Sequence, residues 1–322
     1  VNAAYVGTAG VRLARIEFPN GYGGADPAYA PYTQFNAAGQ VTGGYAVATV
    51  MANSSHSTYN SLQVSASKTS LRYGLGLQAS YTFSKSLDDT SAVLGGFIPN
   101  ASGTVLQSSP QDPWDLRAEK APSTFDVTHV FSVNAVQEFG LARVPVLRAL
   151  GKRFTSGWHL LGVGTVTSGS PFTIFSGIQQ TGVGANGADR PDQVGVPVLS
   201  TSRTVREDYF GLGANNASFF SIPINVPGGS GPNDGRFGTL GRNTFRGPGF
   251  HNFDLSLIKN TPIGPSSNAE RAVLQFRAEF FNAFNLVNFG LPANTLLGPG
   301  FGLINRTSGP SRQIQFSLKV LY

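Results

Sequence analysis

PSRQIQFSLKVLY, residues 310–322, alternates strictly and stops on an aromatic side chain. Ile314, Phe316, Leu318, Val320 and Tyr322 fall on one face, and Gln313, Gln315, Ser317 and Lys319 on the other. Successive side chains of a strand point to opposite sides, so this is a ribbon with one apolar and one polar face. Such a ribbon ends a water-soluble sandwich, or it closes a barrel that is apolar outside and wet inside. The remaining sequence decides between them.

At 322 residues the chain is long enough for one large or two ordinary soluble domains. Its composition is not that of a soluble domain: 12% of residues are charged, against 40 Gly and 24 Phe, and soluble chains carry about twice that charge. The net charge is +6 with an isoelectric point near 9.6, but Lys and Arg are scattered. Nucleic-acid binding is therefore not expected, since counterion release needs clustered phosphate contacts. Zero Cys excludes disulfides, thiolate metal sites and cysteine nucleophiles. No apolar run reaches the ~18 residues of a transmembrane helix. The chain opens Val1-Asn2-Ala3, without an initiator methionine or export signal. Either a signal has been removed or this is the later part of a longer chain; the second is expected, because the first residues already read as a strand.

Seven further segments carry a strand signal, most with period two. They are Ala3 to Ala14, Thr58 to Lys68, Tyr73 to Ser86, Val127 to Glu138, Gly157 to Ser176, Phe250 to Lys259 and Arg271 to Phe284. The clearest runs Leu75, Leu77, Ala79, Tyr81, Phe83 against Gly76, Gln78, Ser80, Thr82, Ser84. The segment from Gly157 is β-rich but ambiguous in phase. Connections alternate in length: residues 15–57, 87–126, 177–249 and 287–310 are long and rich in Gly, Pro and Asn, whereas 69–73, 139–154 and 260–270 are shorter. Outer-membrane barrels show this asymmetry, with short periplasmic turns and long external loops. The fold expected is all-β: an antiparallel transmembrane β-barrel segment of about eight strands with long external loops. Tyr81, Phe83, Trp158, Phe250, Phe280 and Tyr322 fall near strand ends, where an interfacial aromatic girdle belongs.

Candidate chemistry is sparse. GVGANG matches the dinucleotide-binding spacing at Gly182, Gly184 and Gly187, but Pro191 follows where a helix must run, so a loop is expected. Ser65 and Lys68 have the spacing of serine acyl-transfer enzymes, but on a strand they point to opposite faces. His56, His129, His159 and His251 show no metal-ligand spacing. Asp88, Asp89, Asp112, Asp115, Glu119 and Asp126 bracket one long loop; they read either as solvated carboxylates or as a cation or ligand site, the solvated reading being the default. Arg277 and Glu279, with Asp254 and Lys319, share the expected lumen-facing side as a charge ladder tying strands together. In the longest loop Phe210, Phe219 and Phe220 either contact a ligand or pin the loop to itself. No constellation supports an enzyme, and no cofactor or metal is implied.

Several long runs resemble Oar-like TonB-dependent receptors. They include YNSLQVSASK (59–68), LGLQASYTFSKSLDD (75–89), DPWDLRAEKAPSTFDVTHVF (112–131), GWHLLGVGTVTSGSPFTI (157–174), LGRNTFRGPGFHNFDLSLIKN (240–260), LQFRAEFFNAFNLVNFGLP (274–292) and RQIQFSLKVLY (312–322). The resemblance covers most of the chain from Tyr59 onward, and it is to the C-terminal part of such receptors. It implies a place in a barrel of about 22 strands, residues 1–322 forming barrel only, with plug and N-terminal domains outside this stretch. It also implies outer-membrane lipid, the TonB complex acting through the plug, and an unknown ligand as partners. Phe316, Leu318, Val320 and Tyr322 then form a terminal signal for the barrel-assembly machinery, with Tyr322 where the family usually has Phe. The alternatives are a self-contained eight-stranded barrel with a structural or adhesive role, and a soluble sugar-binding sandwich.

Overall fold

Period-two alternation resolves into eight long strands: β1 (Asn2–Glu17), β2 (Val50–Ser70), β3 (Leu75–Asp88), β4 (His129–Phe139), β5 (Trp158–Thr167), β6 (Phe250–Ile263), β7 (Ala272–Phe281) and β8 (Gln313–Leu321). The computed structural model describes residues 1–17, 33–38, 40–44, 50–70, 74–91, 97–100, 103–106, 110–112, 115–178, 189–197, 209, 217–223, 237–264 and 272–322. The eight strands form one sheet in sequence order, and each pairs antiparallel with its neighbours in the chain. Ala121–Pro122 adds a two-residue rung beside Leu87 and Asp88 at the long-loop end of β3. Among the described residues no helix is long and apolar enough to cross a membrane.

Residues directly opposed across a ladder share a face, so the register carries one apolar surface across the whole sheet. It runs through Leu62↔Phe83, Tyr81↔Phe131, Leu160↔Leu257 and Phe276↔Leu318. The other face is polar, as at Ser61↔Ser84, Gln63↔Thr82, Gln78↔Asn134 and Glu279↔Gln315. The apolar face is bare: Phe316 is 65% exposed. A soluble sandwich must bury this face against a second sheet. Here the main buried apolar cluster lies in loops, and none of its members is on the eight strands.

The ambiguous phase of β5 has a physical cause. Its apolar face carries Gly162 and Gly164, while Leu161 and Val163 point to the polar side. Gly164 is needed where it is: a Cβ there would stand 2.9 Å from both the Phe253 ring and Val133 Cγ1. The Phe253 ring therefore occupies the space that a side chain on β5 would fill.

The first two strands are longer than expected. β2 starts eight positions before Thr58, at Val50, and its 21 residues are about twice the ~9–11 needed to cross a bilayer. Arg12 has φ 56° at a register shift between Gly10 and Leu13, a bulge that bends this edge strand. β1 and β8 are each paired on one side only, and among the described residues no ladder joins them. The closed barrel is thus not found: among the described residues the sheet is open, and β8 has β7 as its one partner strand.

Candidate functional site

At the long-loop end the connections fold into a cap. Residues following β5 and preceding β6 pair as Pro171–Phe172 with Phe245–Arg246, and as Asp192–Gln193 with Phe220–Ser221. The connection between β7 and β8 joins them through the bridge Phe175↔Thr295 and is folded on itself by the bridge Phe289↔Thr307. Phe172, Ile174, Tyr209, Phe220, Leu240, Phe245, Phe289 and Ile304 bury one another there. Phe220 meets Phe245 edge-on at 5.9 Å and Phe301 edge-on at 5.8 Å, the geometry favoured by ring quadrupoles. Burial pushes the Tyr209 hydroxyl up to about 12.

Asparagines shape the turns that make this possible. Asn243, Asn282 and Asn285 take φ of 52°, 48° and 52°, a region that Asn tolerates better than other side chains with a Cβ. Asn282 accepts from Leu286 N at 2.8 Å and donates to Pro310 O at 3.0 Å, tying the end of β7 to the approach to β8. Asn288 accepts from His251 N at 2.7 Å and donates to His251 O at 2.9 Å. Its amide thus substitutes for a backbone partner at the start of β6.

A lattice of ions fastens the cap to the wall. Arg190 forks onto Glu119 at 2.9 and 2.8 Å. Gln111 donates its backbone N–H to Glu119 at 3.0 Å and accepts from Arg190 N at 2.6 Å. Arg242 donates to Asp88 through carbonyl and carboxylate, to Ser91 Oγ at 3.0 Å and to Glu119 O at 3.2 Å. Arg246 pairs with Asp126, whose other carboxylate oxygen accepts from Ser86 N at 2.6 Å. Asp88 and Ser86 lie on the polar face of β3, so the lattice draws the cap over that face. One Arg–carboxylate fork, Arg190 on Glu119, two single-point Arg–Asp pairs and shared acceptors satisfy charges that would be costly if buried singly.

Three of the loop carboxylates depart from the solvated reading, whereas Asp115 is exposed in keeping with it. Asp88, Glu119 and Asp126 are buried and paired with arginines, because guanidinium groups from a distant loop reach them. Asp89 accepts from Ser55 and from His56 N, and Asp115 accepts from Arg117 N. Of the three loop aromatics, Phe210 lies outside the described residues. Phe220 is 5% exposed inside the cluster and Phe219 packs against it, so both serve to hold the cap together. The glycine run 182–187 also lies outside the described residues.

Register sets Asp254, Arg277, Glu279 and Lys319 on the polar face. They do not form one ladder. Arg277 meets Glu279 on its own strand at 3.7 Å and Gln275 at 2.9 Å. Asp254 accepts from Asn282 N at 2.8 Å, serving the turn after β7, and Lys319 stands exposed. Phe316, Leu318 and Val320 lie on the apolar face, and Tyr322 stands exposed just past the last rung. Phe250 does not join the girdle: it opposes Thr167 on the polar side and packs beside Gly309. Phe139 takes a place beside Trp158 instead, the rings 6.4 Å apart.

A bare apolar face across eight strands, with the core displaced into loops at one end, is what a wall in lipid requires. The description "outer membrane beta barrel domain" matches residues 1–315. The chain belongs to the outer membrane beta barrel domain family. No curated protein and no solved structure matches it. This outer-membrane barrel domain resides in the bacterial outer membrane, with its apolar face against lipid. The cap gathers at the long-loop end of the sheet, the end that outer-membrane barrels generally direct outward.

Proposed function

We propose that this outer-membrane barrel domain is part of the wall of a TonB-dependent transporter of the Oar-like kind, its external cap contributing to ligand recognition. The observation that carries the reading is the open sheet. Among the described residues β1 and β8 each present an unpaired edge, and in hydrocarbon such edges demand further strands. A wider barrel supplies them and leaves room on the polar face for a plug moved by the TonB complex. The loop cap, closed over that face by ion pairs, then stands between the outside and the lumen. The terminal strand through Tyr322 acts as the assembly signal. The role is passage of a ligand and not catalysis.

Cysteines placed at Ala4 and Ser317, both on the polar face of the edge strands, test this in outer membranes under oxidising conditions. A cross-link within one chain overturns the proposal in favour of a self-contained eight-stranded barrel with a structural or adhesive role. No cross-link, together with capture of the protein by the periplasmic domain of TonB, supports it.

A further inference from the structure

The connection between β4 and β5, residues 140–157, carries two single-turn helices, α1 (Pro145–Arg148) and α2 (Lys152–Thr155). Its sequence, GLARVPVLRALGKRFTSG, holds four cations, Arg143, Arg148, Lys152 and Arg153, and no acidic residue. Val146, Leu150 and Phe154 are 83%, 55% and 65% exposed, with Lys152 and Arg153 exposed among them. In water this arrangement leaves apolar area bare beside unneutralised charge. At a membrane surface both are satisfied.

Two hydrogen bonds fix the direction in which the segment leans. Trp158 Nε1 donates to Phe154 O at 2.7 Å, and Lys259 Nζ donates to Ser156 O at 2.5 Å. Trp158 and Lys259 oppose each other on the apolar face, with the ammonium 5.7 Å from the ring centre. Both anchors hold the segment on the lipid side of the sheet. Gly157, at φ 76°, permits the return: a Cβ there would collide with the Asn260 carbonyl.

We propose that residues 140–157 dock on the periplasmic leaflet of the outer membrane. Val146, Leu150 and Phe154 enter the acyl boundary, and Lys152 and Arg153 meet the phosphates of anionic phospholipid. The segment continues the lipid-facing surface at Phe139, Trp158 and Leu160, and its charge is complementary to an anionic headgroup layer. The inference depends on the membrane location of the domain and not on transport.

The chain has no cysteine, so Val146→Cys carries a single nitroxide in protein reconstituted into phosphatidylcholine vesicles with and without phosphatidylglycerol. The expected result is a label more accessible to oxygen than to a water-soluble nickel chelate, and deeper when phosphatidylglycerol is present. Lys152→Gln and Arg153→Gln each lower the ratio of interfacial to aqueous label about fivefold, following the ~1 kcal/mol per cation near an anionic surface. Heat-modifiable gel migration confirms that each variant is folded. A label fully open to the chelate in both vesicles overturns the docking. Equal depth in both vesicles, unchanged in the charge variants, overturns recognition of the anionic headgroup.

Discussion

Arg242 joins three stretches of chain through one guanidinium, meeting Asp88 at the end of β3, Ser91 beyond it and Glu119 in the same long loop. Arg242→Leu leaves the Asp88 carboxylate buried without its cation, a loss of about 3–5 kcal/mol. The expected outcome is a cap that proteases cut in detergent-solubilised protein while the strands stay protected. The double variant Asp88→Leu/Arg242→Leu is expected to recover part of that resistance, because it removes both charges together. Tyr209 gives a second prediction at this scale. Its folded value of about 12 lies above the ordinary phenol value of 10.0, because burial disfavours the phenolate. Between those limits the unfolded phenol has lost a proton that the folded one keeps, so stability falls as pH rises from about 10 to 12, by about 2–3 kcal/mol in all. Below pH 10 the effect is absent. Ultraviolet titration should show a tyrosine that ionises only as the cap opens, and Tyr209→Phe should flatten the alkaline loss of protease resistance.

Among the elements, β5 and β8 differ in how openly the sequence declares them. β8 reads without ambiguity because every apolar-face position from Ile314 to Tyr322 is large and apolar. β5 hides its phase because Gly162 and Gly164 leave that face without side chains, and the ring filling the gap belongs to Phe253, some ninety positions away. Gly164→Val should clash with Phe253 and Val133 and destabilise the sheet by about 1–3 kcal/mol; Phe253→Ala in the same chain should relieve it. Urea unfolding in lipid vesicles measures both. The two faces of β8 give a sharper contrast by the same method. Leu318→Lys should cost about 2–4 kcal/mol if it lies near the bilayer midplane, whereas Ser317→Lys, one position away on the polar face, should be close to neutral. A cost reversed between the two would place lipid on the wrong side of the sheet.

Across the whole molecule the wall was legible and the cap was not. Alternation is local, so eight strands and their long and short connections follow from neighbouring residues. The cap depends on pairs such as Arg242 with Asp88 and Arg190 with Glu119, separated by 154 and 71 positions. Nothing local marks which carboxylate will meet which guanidinium, and Arg190, Arg242 and Arg246 are not set apart from the other three arginines of their loop, Arg203, Arg206 and Arg236. The extended β1 was faint for a related reason: the bulge at Arg12 breaks its alternation midway.

The lattice also has a division of labour with a consequence for folding order. Its three carboxylates come from the end of β3 (Asp88) and the stretch that follows it (Glu119 and Asp126), and its three arginines come from the stretch between β5 and β6. The acidic half emerges first during synthesis and waits for a counterpart made more than sixty residues later. The cap is therefore a late event, closing only after β3 to β6 have brought the two halves to the same end of the sheet. Circularly permuting the chain so that the arginine-bearing stretch precedes the acidic one should leave the final cap intact. It should change the time at which protease resistance appears during refolding.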